Sequence, residues 1–166
     1  SLTWWALAGA CFFLFLTPVF GLLLANNLES NVLGAGRFTT IARHVHVAVG
    51  GVVLLVMVGV AQKLLPMFLL AHGVGSRAGK AAVGLLFSGS LLLAFPVGGV
   101  TMMGIGALLL WAGLAAFLFQ ACSFFRHRVR RHVDPGMRLA GTGLAGLAGT
   151  LLVAPPGDEG AHLEPQ

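Results

Sequence analysis

Charged residues are scarce in this chain. Only 9% of its 166 residues are Asp, Glu, Lys or Arg, whereas 57% are hydrophobic. A soluble domain carries about 25% charged residues, so this composition excludes an ordinary water-soluble fold. Uninterrupted apolar runs of about 20 residues are typical of membrane-spanning helices. The sequence therefore predicts an all-α protein, an integral membrane helical bundle with five transmembrane helices.

Carboxylates are few, and their positions exclude one kind of function. The chain has five Asp and Glu residues, and none of them lies inside a long apolar run. Proton relays through membranes use ionisable groups placed within the spans. A carboxylate relay through this chain is therefore not expected.

Cysteine is almost absent. The two cysteines, Cys11 and Cys122, both fall within apolar segments. Buried cysteine behaves as a small hydrophobic residue, so the sequence indicates no disulfide framework. No Ser/His/Asp or Cys/His arrangement typical of a hydrolase is visible either.

Apolar runs dominate what is present. They predict spans near residues 2–25, 40–70, 81–97, 101–125 and 139–154, which together form a transmembrane domain over residues 1–154. The second run is longer than the ~20 residues that a crossing needs, and we expect it to bend or end at Pro66. The last segment, 155–166, is polar and rich in Pro and Gly, which predicts an irregular tail.

Basic residues indicate the orientation. They concentrate in the loop between the second and third spans and in "RHRVRRHVDPGMR" after the fourth, which contains Arg126, Arg128, Arg130 and Arg131. By the positive-inside rule, both loops and the N-terminus face the cytoplasm of a bacterial-type inner membrane, and the tail lies outside. The same arginines are suited to anionic lipid headgroups, and we expect no nucleic-acid partner.

Two histidines, His44 and His46, stand where the second span begins. Residues two apart on a helix point about 200° apart, so this pair is not suited to share one metal ion. The positions below His44 are mostly small: Ala48, Gly51, Leu55, Gly59 and Gln62. Such a face either admits a partner helix closely or leaves room for a flat macrocycle.

Neutral imidazole is a common axial ligand of heme iron, which makes either histidine a candidate ligand. The alternative is that both are interfacial side chains that reach water. The remaining histidines are in loops or the tail: His72, His127, His132 and His162. No other span contains one, so two histidines from different spans of this chain cannot complete a bis-histidine heme.

Methionines are the other candidate ligands. Met67, Met102 and Met103 could each offer a thioether sulfur. Methionine in an apolar helix more commonly serves packing.

The second span resembles helix II of subunit I in the heme-copper oxidase and nitric oxide reductase superfamily. The residues that carry the resemblance are the H-x-H of "RHVHVAVGGVVLLVMVGVAQKLLPMF", the Gly50–Gly51 pair, and an ending from Gly59 to Pro66 and Met67. The segments "FLTPVFGLLLANN" and "FRHRVRRHVDPGMR" fit the same family. The resemblance covers only the first few helices of that subunit.

In that superfamily a helix II histidine near the outer face is an axial ligand of a low-spin heme. The resemblance therefore implies heme b on His44, with His46 as the close alternative, and electron transfer within a larger complex of helical subunits. The family's copper-binding histidines lie on later helices, so copper is not expected here. Whether the chain is an enzyme is left open. Two other interpretations remain, a non-redox structural or assembly subunit and a transporter component.

Overall fold

A computed structural model describes residues 1–30, 37–71, 77–95, 99–128 and 135–153. Every regular element in these ranges is a helix, which confirms the prediction of an all-α bundle. The elements are α1 (Leu2–Ser30), α2 (Arg37–His46), a π-helical segment (Val47–Leu54), α3 (Leu55–Leu69), α4 (Arg77–Ala94), α5 (Gly99–Arg126) and α6 (Pro135–Val153). Because α2, the π segment and α3 follow one another without a break, they form one long rod.

Four helices of the described chain are long and apolar enough to cross a membrane: Leu2–Asn27, Arg37–Leu69, Arg77–Ala94 and Thr101–Arg126. They match the first four predicted spans to within a few residues. Helix α6 covers the fifth apolar run and begins at Pro135 rather than near residue 139. Its role as a fifth span stays a prediction, and the tail 155–166 lies outside the described residues.

Helix α1 has one packed face and one apolar outer face. Ala6, Ala10 and Phe13 share a face by their spacing and are 0%, 2% and 0% exposed. On the other side Trp5 and Phe15 are 68% and 78% exposed. Large apolar side chains that point away from the bundle suit a lipid environment, since lipid tails are as apolar as they are.

The packed face of α1 lies directly against the long rod. A Cβ atom at Gly51 would overlap the ring of Phe13, and one at Gly59 would lie 2.7 Å from the Cβ of Ala6. Without a strong hydrophobic force between helices in lipid, such close contacts supply the attraction that holds them together.

The α4–α5 hairpin is packed through its backbones. A Cβ atom at Gly89 would lie 2.9 Å from the carbonyl oxygen of Gly106, and one at Gly113 would lie 3.0 Å from the backbone nitrogen of Leu86. The two helices therefore approach each other as closely as the main chain allows. The rod then packs on this hairpin through α4.

The long rod does not end at Pro66. Helix α3 continues to Leu69, and the chain leaves it through Leu70 in the left-handed conformation, with φ of 52°. The backbone N–H groups of Leu70 and Ala71 both donate to the carbonyl oxygen of Pro66, the latter at 3.0 Å. Proline removes a donor but keeps its acceptor, so Pro66 helps to close the helix end.

Substitution of Gly51 tests the contact between α1 and the rod. We expect Gly51→Ala to lower the free energy of unfolding by about 1–3 kcal/mol, because the new Cβ would push against the buried Phe13 ring. Gly84→Ala is the matched control, since a Cβ there meets nothing within 4 Å. It should leave stability unchanged or raise it by up to about 1 kcal/mol. Reversible unfolding in mixed micelles measures both, and equal effects would refute the contact.

Candidate functional site at the start of the long rod

His44 lies in the contact between α2 and α1. A Cβ atom at Gly21 of α1 would lie 3.6 Å from the Cε1 atom of the imidazole. The Nδ1 atom of His44 is buried and has no hydrogen-bond partner. The ring therefore packs against α1 with its Nδ1 atom buried, although the residue as a whole is partly exposed.

His46 has the opposite environment. Its side chain is exposed, and its Nδ1 atom lies 2.7 Å from the carbonyl oxygen of Ala42, one turn earlier. A carbonyl oxygen can only accept, so Nδ1 carries the proton and Nε2 keeps the lone pair of the neutral ring. In metal-ligating histidines, this kind of bond sets the tautomer and the orientation of the ring.

The two imidazoles thus lie on different sides of α2, in keeping with the expected angle between them. The small-residue face below His44 could admit either a partner helix or a flat macrocycle. In the structure it admits a helix, because α1 fills that face at Gly51 and Gly59. Within the described ranges, no three His, Cys, Asp or Glu residues come together as a metal-binding group.

The π segment directly after His46 is a feature that the sequence analysis missed. The expectation was a regular helix, but the turns from Val47 to Leu54 are wider. Gly50 and Gly51 lie within it. A Cβ at Gly50 would lie 3.0 Å from the Ser90 hydroxyl oxygen, and Gly51 meets Phe13. The adjacent glycines were the signal available in the sequence. Such π turns are frequent at functional sites.

The methionines that the sequence offered as alternative ligands are all partly or largely exposed. Met67 is 56% exposed at the far end of the rod, and Met102 and Met103 are 37% and 38% exposed at the start of α5. His127 is exposed beyond the end of α5, where its Nδ1 lies 2.9 Å from the Ser123 carbonyl oxygen. His72, His132 and His162 lie outside the described residues.

Of the four arginines predicted to bind lipid headgroups, two lie within the described residues and two lie outside them. Arg126 and Arg128 are exposed at the C-terminal end of α5. Arg130 and Arg131 lie outside the described residues. The described pair is thus placed where a headgroup could reach it.

Three polar atoms in the described part of the chain are buried without a partner: His44 Nδ1, Gln62 Nε2 and Ser90 Oγ. His44 and Gln62 are more than about 20 Å apart along the rod, at 1.5 Å per residue. Ser90 faces the π segment between them and is 0% exposed. They form separate local environments rather than one site.

No protein-family model, curated protein or solved structure matches this chain. The resemblance to the oxidase superfamily therefore rests on the residues of the second span. In the described chain, four helices long and apolar enough to cross a membrane indicate a helical membrane protein.

Two serines of α4 form a matched test of the buried polar atoms. Ser90→Ala should raise the free energy of unfolding by about 1–3 kcal/mol, since it removes a fully buried hydroxyl that lacks a partner. Ser88→Ala should not raise stability, because the Ser88 hydroxyl already donates to the Gly84 carbonyl oxygen at 2.6 Å on an exposed surface. Thermal unfolding in detergent compares the two. A loss of stability in Ser90→Ala would mean that the hydroxyl has a partner.

Proposed function

We propose that this chain is a heme-binding helical subunit of a membrane redox complex and that His46 is its axial ligand. The observation that carries the proposal is the anchored imidazole: Nδ1 is 2.7 Å from the Ala42 carbonyl oxygen, so Nε2 is the ring nitrogen left for iron. His44 is the alternative that the resemblance implies. Its position against Gly21 favours a packing role.

The surroundings of His46 fit a heme at the outer surface of the bundle. Val49 and Val53 follow His46 on the rod and are 49% and 57% exposed. They add exposed apolar surface to the part of the rod that follows His46, on which a macrocycle could lie. A heme b there would supply a one-electron carrier.

The chain's own residues provide one ligand and its orientation. Ala42 holds the imidazole through its carbonyl oxygen, and Val49 and Val53 present apolar side chains on the following turns of the rod. A second axial ligand would come from another chain or from residues outside the described ranges. Because of this requirement, the heme-binding chain would be one subunit of a complex.

We also infer the orientation of the bundle in a bacterial-type inner membrane, with the N-terminus in the cytoplasm and the tail outside. Arg77 and Lys80 are exposed at the start of α4, and Arg126 and Arg128 are exposed at the end of α5. Because α4 and α5 are antiparallel, these charges share one end of the hairpin. The positive-inside rule assigns that end to the cytoplasm, which puts His46 near the outer face.

One observation favours a second function, a structural subunit without a cofactor. A Cβ at Gly141, Gly143 or Gly146 of α6 would meet nothing within 4 Å. Small residues on an open helix face suit close packing against another helix. Such a subunit would assemble with partners and carry no chromophore.

A pair of identical substitutions tests the ligand. His46→Gln should remove most of the heme absorbance of the purified complex, because it removes the axial ligand that holds the iron. His44→Gln is the matched control and should keep the absorbance. Reduced-minus-oxidised spectra of protein purified from its native membrane, with its partners, measure both.

Two outcomes would refute this assignment. Loss of the chromophore only in His44→Gln would move the ligand to His44. A wild-type complex that lacks heme by pyridine hemochrome analysis would refute the redox function and favour the structural subunit.

Cysteine labelling tests the orientation. In a Cys11→Ser, Cys122→Ser background, we expect Arg37→Cys to react with a membrane-impermeant maleimide in intact cells, since Arg37 is exposed at the outer end of the rod. Arg128→Cys should react only after the membrane is opened. The reverse pattern would invert the proposed topology.

A further inference from the structure

An open groove of about 500 Å³ runs between α5 and α6. Its walls are formed by Leu118, Ala121, Cys122 and Phe125 of α5 and by Gly141, Leu144, Ala145 and Ala148 of α6. Apart from the side chain at one end, these walls are apolar. The groove is independent of the imidazoles and of the heme proposal.

Arg126, the last residue of α5, borders one end of the groove through the aliphatic part of its exposed side chain. Arg128 and Arg138 are also exposed at this end of the two helices. No carboxylate occurs among the side chains that the structure describes at this end. Asp134, the one acidic residue of the connecting sequence, lies outside the described ranges. The groove is therefore an apolar channel with exposed arginines beside one of its ends.

The length of the groove matches one leaflet of a membrane. From Leu118 to Arg126 the helix rises by about 12 Å at 1.5 Å per residue. Half of the hydrocarbon core of a bilayer is about 15 Å thick. A groove of this length, with its charge at the interfacial end, spans most of the depth that an acyl chain occupies.

The shape of the groove favours a slender occupant. An acyl chain is narrower than a helix, which is about 10 Å in diameter. A phospholipid also carries its phosphate at the head of its chains, which would place a negative charge at the end where Arg126 lies.

We propose that the α5–α6 groove is a binding site for an anionic phospholipid, with an acyl chain between the helices and the phosphate on Arg126. Guanidinium binds phosphate through two parallel hydrogen bonds, which gives this position selectivity as well as attraction. The small side chains of α6 leave the space for the chain. The lipid fills the gap that α6 leaves against α5.

Lipid titration of the intact purified chain, followed by native mass spectrometry, tests the site. Phosphatidylglycerol should bind with a defined stoichiometry and more tightly than phosphatidylcholine with the same acyl chains. Arg126→Gln should weaken phosphatidylglycerol binding by about tenfold or more, since it removes a charged hydrogen bond. Arg77→Gln is the matched control, because Arg77 is exposed at the same end of the bundle but outside the groove.

A second variant tests the apolar part of the site. Ala145→Phe should fill the groove and weaken the binding of both lipids. Thermal unfolding of the variant checks that it is folded. If it does not fold, Ala148→Leu is the milder replacement. Equal binding of the two lipids, an equal loss in Arg77→Gln, or unchanged binding in a folded groove variant would each overturn the proposal. So would a dimer that binds no lipid and dissociates in the groove variant, since the groove would then be a protein interface.

Discussion

Close contact between helices at glycine is the constraint on which the rest of this structure depends. Apolar side chains gain little free energy by moving from lipid to a helix contact, because lipid tails are equally apolar. Helices in a membrane therefore associate through van der Waals contact between complementary surfaces. Gly51 receives the Phe13 ring, and Gly89 lets the backbones of α4 and α5 touch. These contacts fix the order of the helices around α4 and the side of the rod that α1 covers.

The position of α1 gives the two histidines different environments. Because α1 packs on the face that carries Gly51 and Gly59, it also covers His44. His46 is left outside, where the Ala42 carbonyl oxygen holds its ring. The heme proposal therefore favours His46, although the sequence resemblance alone implied His44 first. The same helix packing that stabilises the bundle would then select which imidazole is accessible to a heme.

Small residues have different consequences in different parts of the bundle. Where a second helix fits against them, as between α4 and α5, they bring backbones together. Along α6 the glycines meet no neighbour, and a groove ending at Arg126 remains beside α5. The residue type is the same in both places. The presence of a fitting partner decides whether it produces a packed contact or a space for a lipid.

Composition and local pattern determined the membrane class, the all-α fold and the approximate limits of the first four spans, because hydropathy and chain length act locally. The angle between His44 and His46 also followed from helix geometry alone. The π segment and the unequal exposure of the two histidines were decided by tertiary structure. Each depends on which helix lies opposite which residue, and residues far apart in sequence make those contacts.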